Sequence, residues 1–262
     1  MSVPEDPFEY RVQQHQAMTR SALETVPVES AKPHGNIPNT PLVSSLISFV
    51  LGALFLLGSI AFVNGGYPGS SWVTWQLGGF IATWAIFHYL EFAVTAGWNR
   101  EKCSVDSYLL DNGKEYHLAN TAAFLEYVVA HAWNPKTKTY PYVSEIGIAL
   151  ILGGQFLRSI AMVHAATNFS HAVAFNKRKD HVLVTDGVYA WFRHPSYAGF
   201  FYWGIGTQLL LQNPICFVLY ACLLWRFFYY RLKFEEANLI KFFGNEYKEY
   251  RARVKVWIPF IG

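Results

Sequence analysis

Residues 188–204 read VYAWFRHPSYAGFFYWG. Arg193, His194 and Pro195 stand together there, between Tyr189 and Trp191 on one side and Tyr197 on the other. Just upstream, His181 opens the run HVLVTDG, which ends in the turn-forming pair Asp186-Gly187. Downstream, Arg231 and Glu235 are four residues apart and share a helical face. Brought to one place, these groups supply a carboxylate, cationic and imidazole donors, and many aromatic rings. Aromatic faces suit a cation, and guanidinium or imidazole donors suit a carboxylate. No nucleophile-base pair, pair of catalytic carboxylates or metal-ligand spacing is visible, so no metal is expected. Singly, each group has a plainer reading. Arg231 and Glu235 could form a weak surface ion pair. His194-Pro195 could be only a bend.

The elements that must hold these groups lie in a membrane. Hydrophobic residues make up 52% of the 262, aromatics 18% and charged residues 15%, against about 25% charged in soluble proteins. Charge-free runs of membrane length exclude a soluble enzyme. A net charge of +3 is too small to imply nucleic acid. Cys103, Cys216 and Cys222 form no CxxC pair and read as small hydrophobes. Residues 1–41, rich in proline and without an apolar core, read as a disordered cytosolic tail and not a signal peptide.

Apolar segments are expected at 41–63, 72–97, 118–133, 145–165, 196–212 and 214–230. The last two join at Asn213-Pro214, an N-cap followed by a first-turn proline, and so form a tight hairpin. The third segment is short and carries Glu126. The second carries His88 and Glu91, which either pair with each other to fix packing or serve a substrate. Arg158, near the end of the fourth segment, reads as a cytosolic-end anchor or as a group facing the pocket. Basic residues in the 98–117 and 166–195 links and after 231 place those links and both termini on the cytosolic side; Lys136 and Lys138 weakly disagree. Beyond Tyr230 a pair of short surface helices is expected, the first ending at Gly244 and the second capped by Asn245. The expected fold is therefore all-α: a polytopic integral membrane protein of about six transmembrane helices, a C-terminal helical hairpin among them, plus cytosolic surface helices. The expected divisions are a tail over 1–41, membrane helices over 42–165 and a catalytic region over 166–262.

From about Trp84 onward the chain resembles the isoprenylcysteine carboxyl methyltransferases, membrane enzymes that methylate prenylated C-termini. The residues carrying the resemblance are FHYLEF (87–92), DSYLLDNGKEY (106–116), NFSHAV (168–173), HVLVTDGVYAWFRHPSYAGFFYWGIGTQLLLQNPIC (181–216), WRFFYYR (225–231) and EE…FGNEYKEYRARV…PFI (235–261). The shorter pattern RHPxYxG…EE…FGxxYxxY is also found in membrane lipid methyltransferases and sterol reductases, so the longer strings are the specific ones. The resemblance implies S-adenosylmethionine as cofactor, bound by His181, Val182, Leu183, Val184, Tyr189, His194, Pro195, Ser196, Tyr197 and Glu235. It implies that Arg231 contacts the prenyl acceptor, with Arg231 and Glu235 in the catalytic role. His88 and Glu91 are further candidates for the acceptor. The family often has glutamine where this chain has Ala174, so only a backbone contact is expected there. Implied partners are prenylated CaaX proteins such as small GTPases, together with membrane lipid. The implied location is the endoplasmic reticulum membrane, with the site facing the cytosol. The rival readings are an NADPH-dependent sterol reductase and a non-catalytic lipid-binding protein.

Overall fold

The computed structural model describes residues 37–66, 72–171, 177 and 181–262. The expected tail falls largely outside them, as does Ala174. Seven α-helices follow one another among the described residues: α1 (Pro41–Val63), α2 (Trp75–Trp98), α3 (Lys114–Trp133), α4 (Val143–Ala165), α5 (Pro195–Leu210), α6 (Pro214–Phe243) and α7 (Asn245–Arg253). Among the described residues there is no strand, only an isolated bridge between Gly66 and Thr74. Four helices among the described residues are long and apolar enough to cross a membrane: α1, α2, α4 with its short 3₁₀ continuation to Asn168, and α6. The expected third segment begins four residues early, at Lys114. The first hairpin arm, α5, has 16 residues.

Small residues let these helices meet backbone to backbone, the usual device where lipid removes the hydrophobic drive for association. A Cβ on Gly58 of α1 would lie 2.7 Å from the Gly78 carbonyl oxygen of α2. A Cβ on Gly154 of α4 would lie 2.5 Å from the Gly199 carbonyl oxygen of α5, and one on Gly147 would lie 2.5 Å from the Leu210 nitrogen. The α4–α5 pair thus spans the expected boundary between N-terminal helices and catalytic region. Between α2 and α5, Phe87 stacks on Trp203 with ring centroids 4.4 Å apart. Leu77, Phe80, Tyr127, Ile151 and Leu210 complete that core.

The hairpin turn is capped from outside. Asn213 holds the N-cap position of α6, but its side chain does not cap. The carboxylate of Glu126 in α3 instead accepts from the amides of Ile215 (2.9 Å) and Cys216 (2.6 Å). That satisfies two donors a helix start leaves open and sets a negative charge at its positive end. Asn213 donates to the Ala123 carbonyl at 2.8 Å. Lys138 donates hydrogen bonds to the Gln212 carbonyl (2.9 Å) and to Asn213 Oδ1 (2.8 Å). Lys138 is buried, and desolvation lowers its pKa.

Two local expectations need correction. The second hairpin arm does not stop at Tyr230. α6 runs 30 residues to Phe243, because no glycine or proline interrupts the chain before Gly244, whose φ is 61°. The first expected surface helix is therefore the continuation of α6. The second is α7, and Gly244 rather than Asn245 holds its cap position. Tyr247 and Tyr250 are the buried side of α7, as the apolar spacing implies.

Candidate active site

Proline at the first position of α5 forces His194 out of the helical region, to φ −132° and ψ 68°. The preceding segment reaches it through a 3₁₀ turn, Gly187–Ala190, closed by a bond from the Tyr189 amide to the Asp186 carbonyl (3.0 Å). Gly187 has φ 54°, and a side chain there would collide with His164, whose Nδ1 accepts from the Val188 amide at 3.0 Å. The Tyr189 hydroxyl donates to the Ala161 carbonyl of α4. Its carbonyl accepts from the Tyr250 hydroxyl of α7 at 2.7 Å. The start of α5 is thus fixed between α4 and α7.

Arg193 ties this start to the C-terminus. It is buried, donates to Glu236 at 2.6 Å, and donates to the carbonyls of Arg251 (3.1 Å) and Val254 (2.6 Å). Its Nη2 is buried without a partner among the described residues. His194 lies 3.3 Å from Glu236 and 3.9 Å from Glu235. Glu236 also pairs with Arg251 at 3.3 Å.

A cleft of about 690 Å³, open side included, forms above these residues. His181, Val182, Leu183, Val184, Tyr189, His194, Pro195, Ser196, Tyr197 and Glu235 all line it, together with Arg193 and the aromatic rings of Phe169, Phe243, Tyr247 and Tyr250. Ten sequence-derived positions, spread over 54 residues from His181 to Glu235, therefore meet in one cleft. Burial pushes the Tyr189, Tyr247 and Tyr250 phenols above their ordinary pKa, so they stay protonated well past neutrality. The amide of Val182 donates to Asn168 Oδ1 at 3.0 Å. The backbone groups of Leu183 and Val184 make no hydrogen bond among the described residues, which leaves an open peptide edge along the cleft.

A second cavity of about 460 Å³ adjoins the first. Ser196, Tyr197, Phe169 and Ser170 line both. Its own walls are Leu109, Phe200, Phe227 and Phe228, and its cations are Arg158 and Arg231. Arg231 donates through Nε to the Tyr197 hydroxyl (2.8 Å) and through Nη2 to the His171 carbonyl. Its guanidinium lies over the rings of Tyr197 and Phe227, 5.2 and 5.7 Å from their centroids. The Tyr197 hydroxyl donates in turn to Glu235. Arg231 and Glu235 are thus joined through a tyrosine and not as a direct pair.

His88 and Glu91 do not bond to each other. His88 binds the Tyr108 carbonyl and the Tyr116 hydroxyl, each at 2.7 Å. Glu91 takes two bonds from Arg158, at 2.5 and 2.8 Å, and one from His171 at 2.9 Å. Both residues are fully buried and line neither cavity. Arg158 also donates to the carbonyl and hydroxyl of Ser196. It therefore faces the second cavity and is no interfacial anchor. Sequence reading singled out neither His171 nor Glu236, which bond to Glu91 and to Arg193 respectively. The available signals were the histidine of NFSHAV and the second acid of Glu235-Glu236.

Fold and site together define an all-helical multi-pass membrane protein with two adjoining cavities, one aromatic and polar, the other apolar with paired guanidinium groups. Residues 147–241 match the family described as "Isoprenylcysteine carboxyl methyltransferase (ICMT) family". The chain is 44% identical over 211 residues to a human protein-S-isoprenylcysteine O-methyltransferase, covering 80% of this chain and 72% of that one. It is 44% identical to the Saccharomyces cerevisiae protein of the same name, over 83% and 90% of the two chains. A solved structure described as the eukaryotic intramembrane Ras methyltransferase ICMT superposes with a TM-score of 0.76 at 32% identity, over 93% of this chain and 94% of that one. The chain belongs to the isoprenylcysteine carboxyl methyltransferase family.

Proposed function

We propose that the first cleft binds S-adenosylmethionine and the second cavity receives a prenylated C-terminal cysteine, whose α-carboxylate becomes a methyl ester. The observation that carries this reading is the shared wall. Ser196 and Tyr197 line both cavities, so a donor in one and an acceptor in the other can meet end to end.

The residues present fit the cofactor. Its adenine and sulfonium suit the rings of Tyr189, Phe243 and Tyr250. Its carboxylate suits the unpartnered Nη2 of Arg193 beside His194. Its polar edges suit Glu235 and the open peptide edge at Leu183 and Val184. When bound, it supplies an electrophilic methyl group.

The chain's own work is orientation. The acceptor carboxylate has an unperturbed pKa of about 3.3–3.7 and is ionised at neutral pH. No side chain has to remove a proton. Arg231 offers a planar fork that can hold the carboxylate and aim one oxygen across the shared wall. Tyr197 keeps that fork in place. The apolar walls exclude water from the nucleophile. Arg158 supplies a second guanidinium on the same cavity, and Glu91 holds it.

Small GTPases that end in a prenylated cysteine are the natural acceptors, since CaaX processing yields such termini. The reading places the protein in the endoplasmic reticulum membrane with both cavities toward the cytosol. The basic links carrying Arg100, Lys102, Lys248 and Lys255 support that orientation. A reductase reading has less support: among the described residues the cleft has no second Arg/Lys cluster for dinucleotide phosphates. Thermal unfolding of detergent-purified protein tests the assignment. S-adenosylhomocysteine should raise Tm and NADPH should not; stabilisation by NADPH alone would overturn it.

A further inference from the structure

A third, larger cavity lies at the membrane side opposite the two just described, beside the hairpin turn. One wall is a single face of α3, where Ala122, Leu125, Val129 and Trp133 follow at helical spacing. The other wall is Ile215 and Leu219 of α6. The groove encloses about 1900 Å³ with its open side included. Leu125, Val129, Ile215 and Leu219 are exposed by 53%, 64%, 66% and 47%, so it opens sideways, continuous with the hydrocarbon-facing surface of α6.

The polar side chains on its floor already have protein partners. Glu126 caps α6, Lys138 and Asn213 hold the turn, and Gln212 bonds to the Tyr140 carbonyl and to Ser144, each at 3.0 Å. An occupant meets hydrocarbon surface alone. An empty groove there would forfeit the contacts of its lining atoms, and water would find no polar partners in it.

Its length and its rim point to what fills it. From Ala122 to Trp133 a helix rises about 16 Å, close to half of a ~30 Å hydrocarbon core. The groove is therefore one leaflet deep. Its outer end carries the exposed rings of Trp133, Tyr140 and Tyr142, the residue types that settle at headgroup level. Lys136 stands exposed at the same rim and makes no ion pair among the described residues.

We propose that this groove is a binding site for a phospholipid of the leaflet distal to the donor cleft. One acyl chain lies between α3 and α6, and the phosphate meets Lys136. The chain packs against the two helices that Glu126 joins, so the lipid braces the hairpin turn.

The test uses the full chain in mild detergent. Native mass spectrometry counts retained phospholipid, and thermal unfolding is followed after stripping and readdition of dioleoylphosphatidylcholine. Wild type should retain one phospholipid per chain and gain several degrees in Tm on readdition. Val129→Trp and Leu125→Trp fill the groove from exposed positions and should each lose the lipid and the Tm response. Lys136→Glu should weaken retention while the protein still folds. Unchanged retention in both tryptophan variants would overturn the proposal. So would retention of a sterol in place of phospholipid. A raised KM for a geranylgeranylated acceptor in Val129→Trp, with phospholipid retention unchanged, would assign the groove to the acceptor tail instead and equally overturn it.

Discussion

The Tyr197 hydroxyl donates to Glu235 while accepting from Arg231 at 2.8 Å. One phenol thus links a residue assigned to the donor with a residue assigned to the acceptor, at the wall both cavities share. Tyr197→Phe removes the link and keeps the ring. Arg231 and Glu235 then each lose a partner worth about 1–3 kcal/mol for a charged group. Acceptor KM should rise and S-adenosylhomocysteine affinity should fall together. Titration calorimetry and acceptor kinetics on the one variant check this; a loss confined to either ligand would show that the linkage does not operate.

Glu235→Gln should act on the donor alone. It removes the negative charge from the cleft but leaves an acceptor for Tyr197. Binding of S-adenosylhomocysteine should weaken by about 1–3 kcal/mol, with acceptor KM little changed. A surface ion pair would instead give under about 1 kcal/mol of lost stability and no ligand effect.

The Glu91–Arg158 pair should matter first for folding. Both groups are buried, and Glu91 also receives His171. Glu91→Ala leaves an uncompensated buried guanidinium, a change that typically costs about 3–5 kcal/mol. His88→Asn breaks a neutral contact with Tyr116 and should cost less. Thermal unfolding of the two variants in one detergent ranks them; a His88 variant less stable than the Glu91 variant contradicts the network drawn above.

The alkaline side of the pH profile should be flat. The acceptor carboxylate is ionised above about pH 5, and no side chain is required as a base. Burial raises the phenol pKa of Tyr189 and Tyr250, so neither ionises within the working range. A group with a raised folded pKa favours folding of its protonated form, and these phenols lose that contribution only beyond their ordinary pKa of about 10. Then kcat/KM should stay constant from about pH 7.5 to 9.5 and survive EDTA. A rate rising through that window would indicate a general base.

The lining of the first cleft was legible because its residues sit in short continuous runs. Residues 181–184 and 194–197 each contribute neighbours that enter the cleft together. The second cavity was less legible. Arg158, Glu91 and His171 are 13 to 80 residues apart and come from α4, α2 and the link after α4. No local periodicity encodes such a meeting. The end of α6 was misread because charges become dense from Arg231 (Lys233, Glu235 and Glu236 follow), and a change of solvent there looked like a change of element. A helix crossing from lipid into a polar site changes composition without breaking. Glu126 and Lys138 looked like exceptions to membrane logic until their partners at the hairpin turn were visible.

Methyl transfer itself tests the central claim most directly. Purified protein is incubated with S-adenosylmethionine labelled in its methyl group and with N-acetyl-S-farnesylcysteine, and alkali-labile label in the acceptor is counted. Wild type should form the labile ester. Arg231→Lys keeps the charge but loses the fork, so it should bind S-adenosylhomocysteine normally and turn over poorly. Label that resists alkali, no label at all, or normal turnover by Arg231→Lys would contradict the assignment of these two cavities.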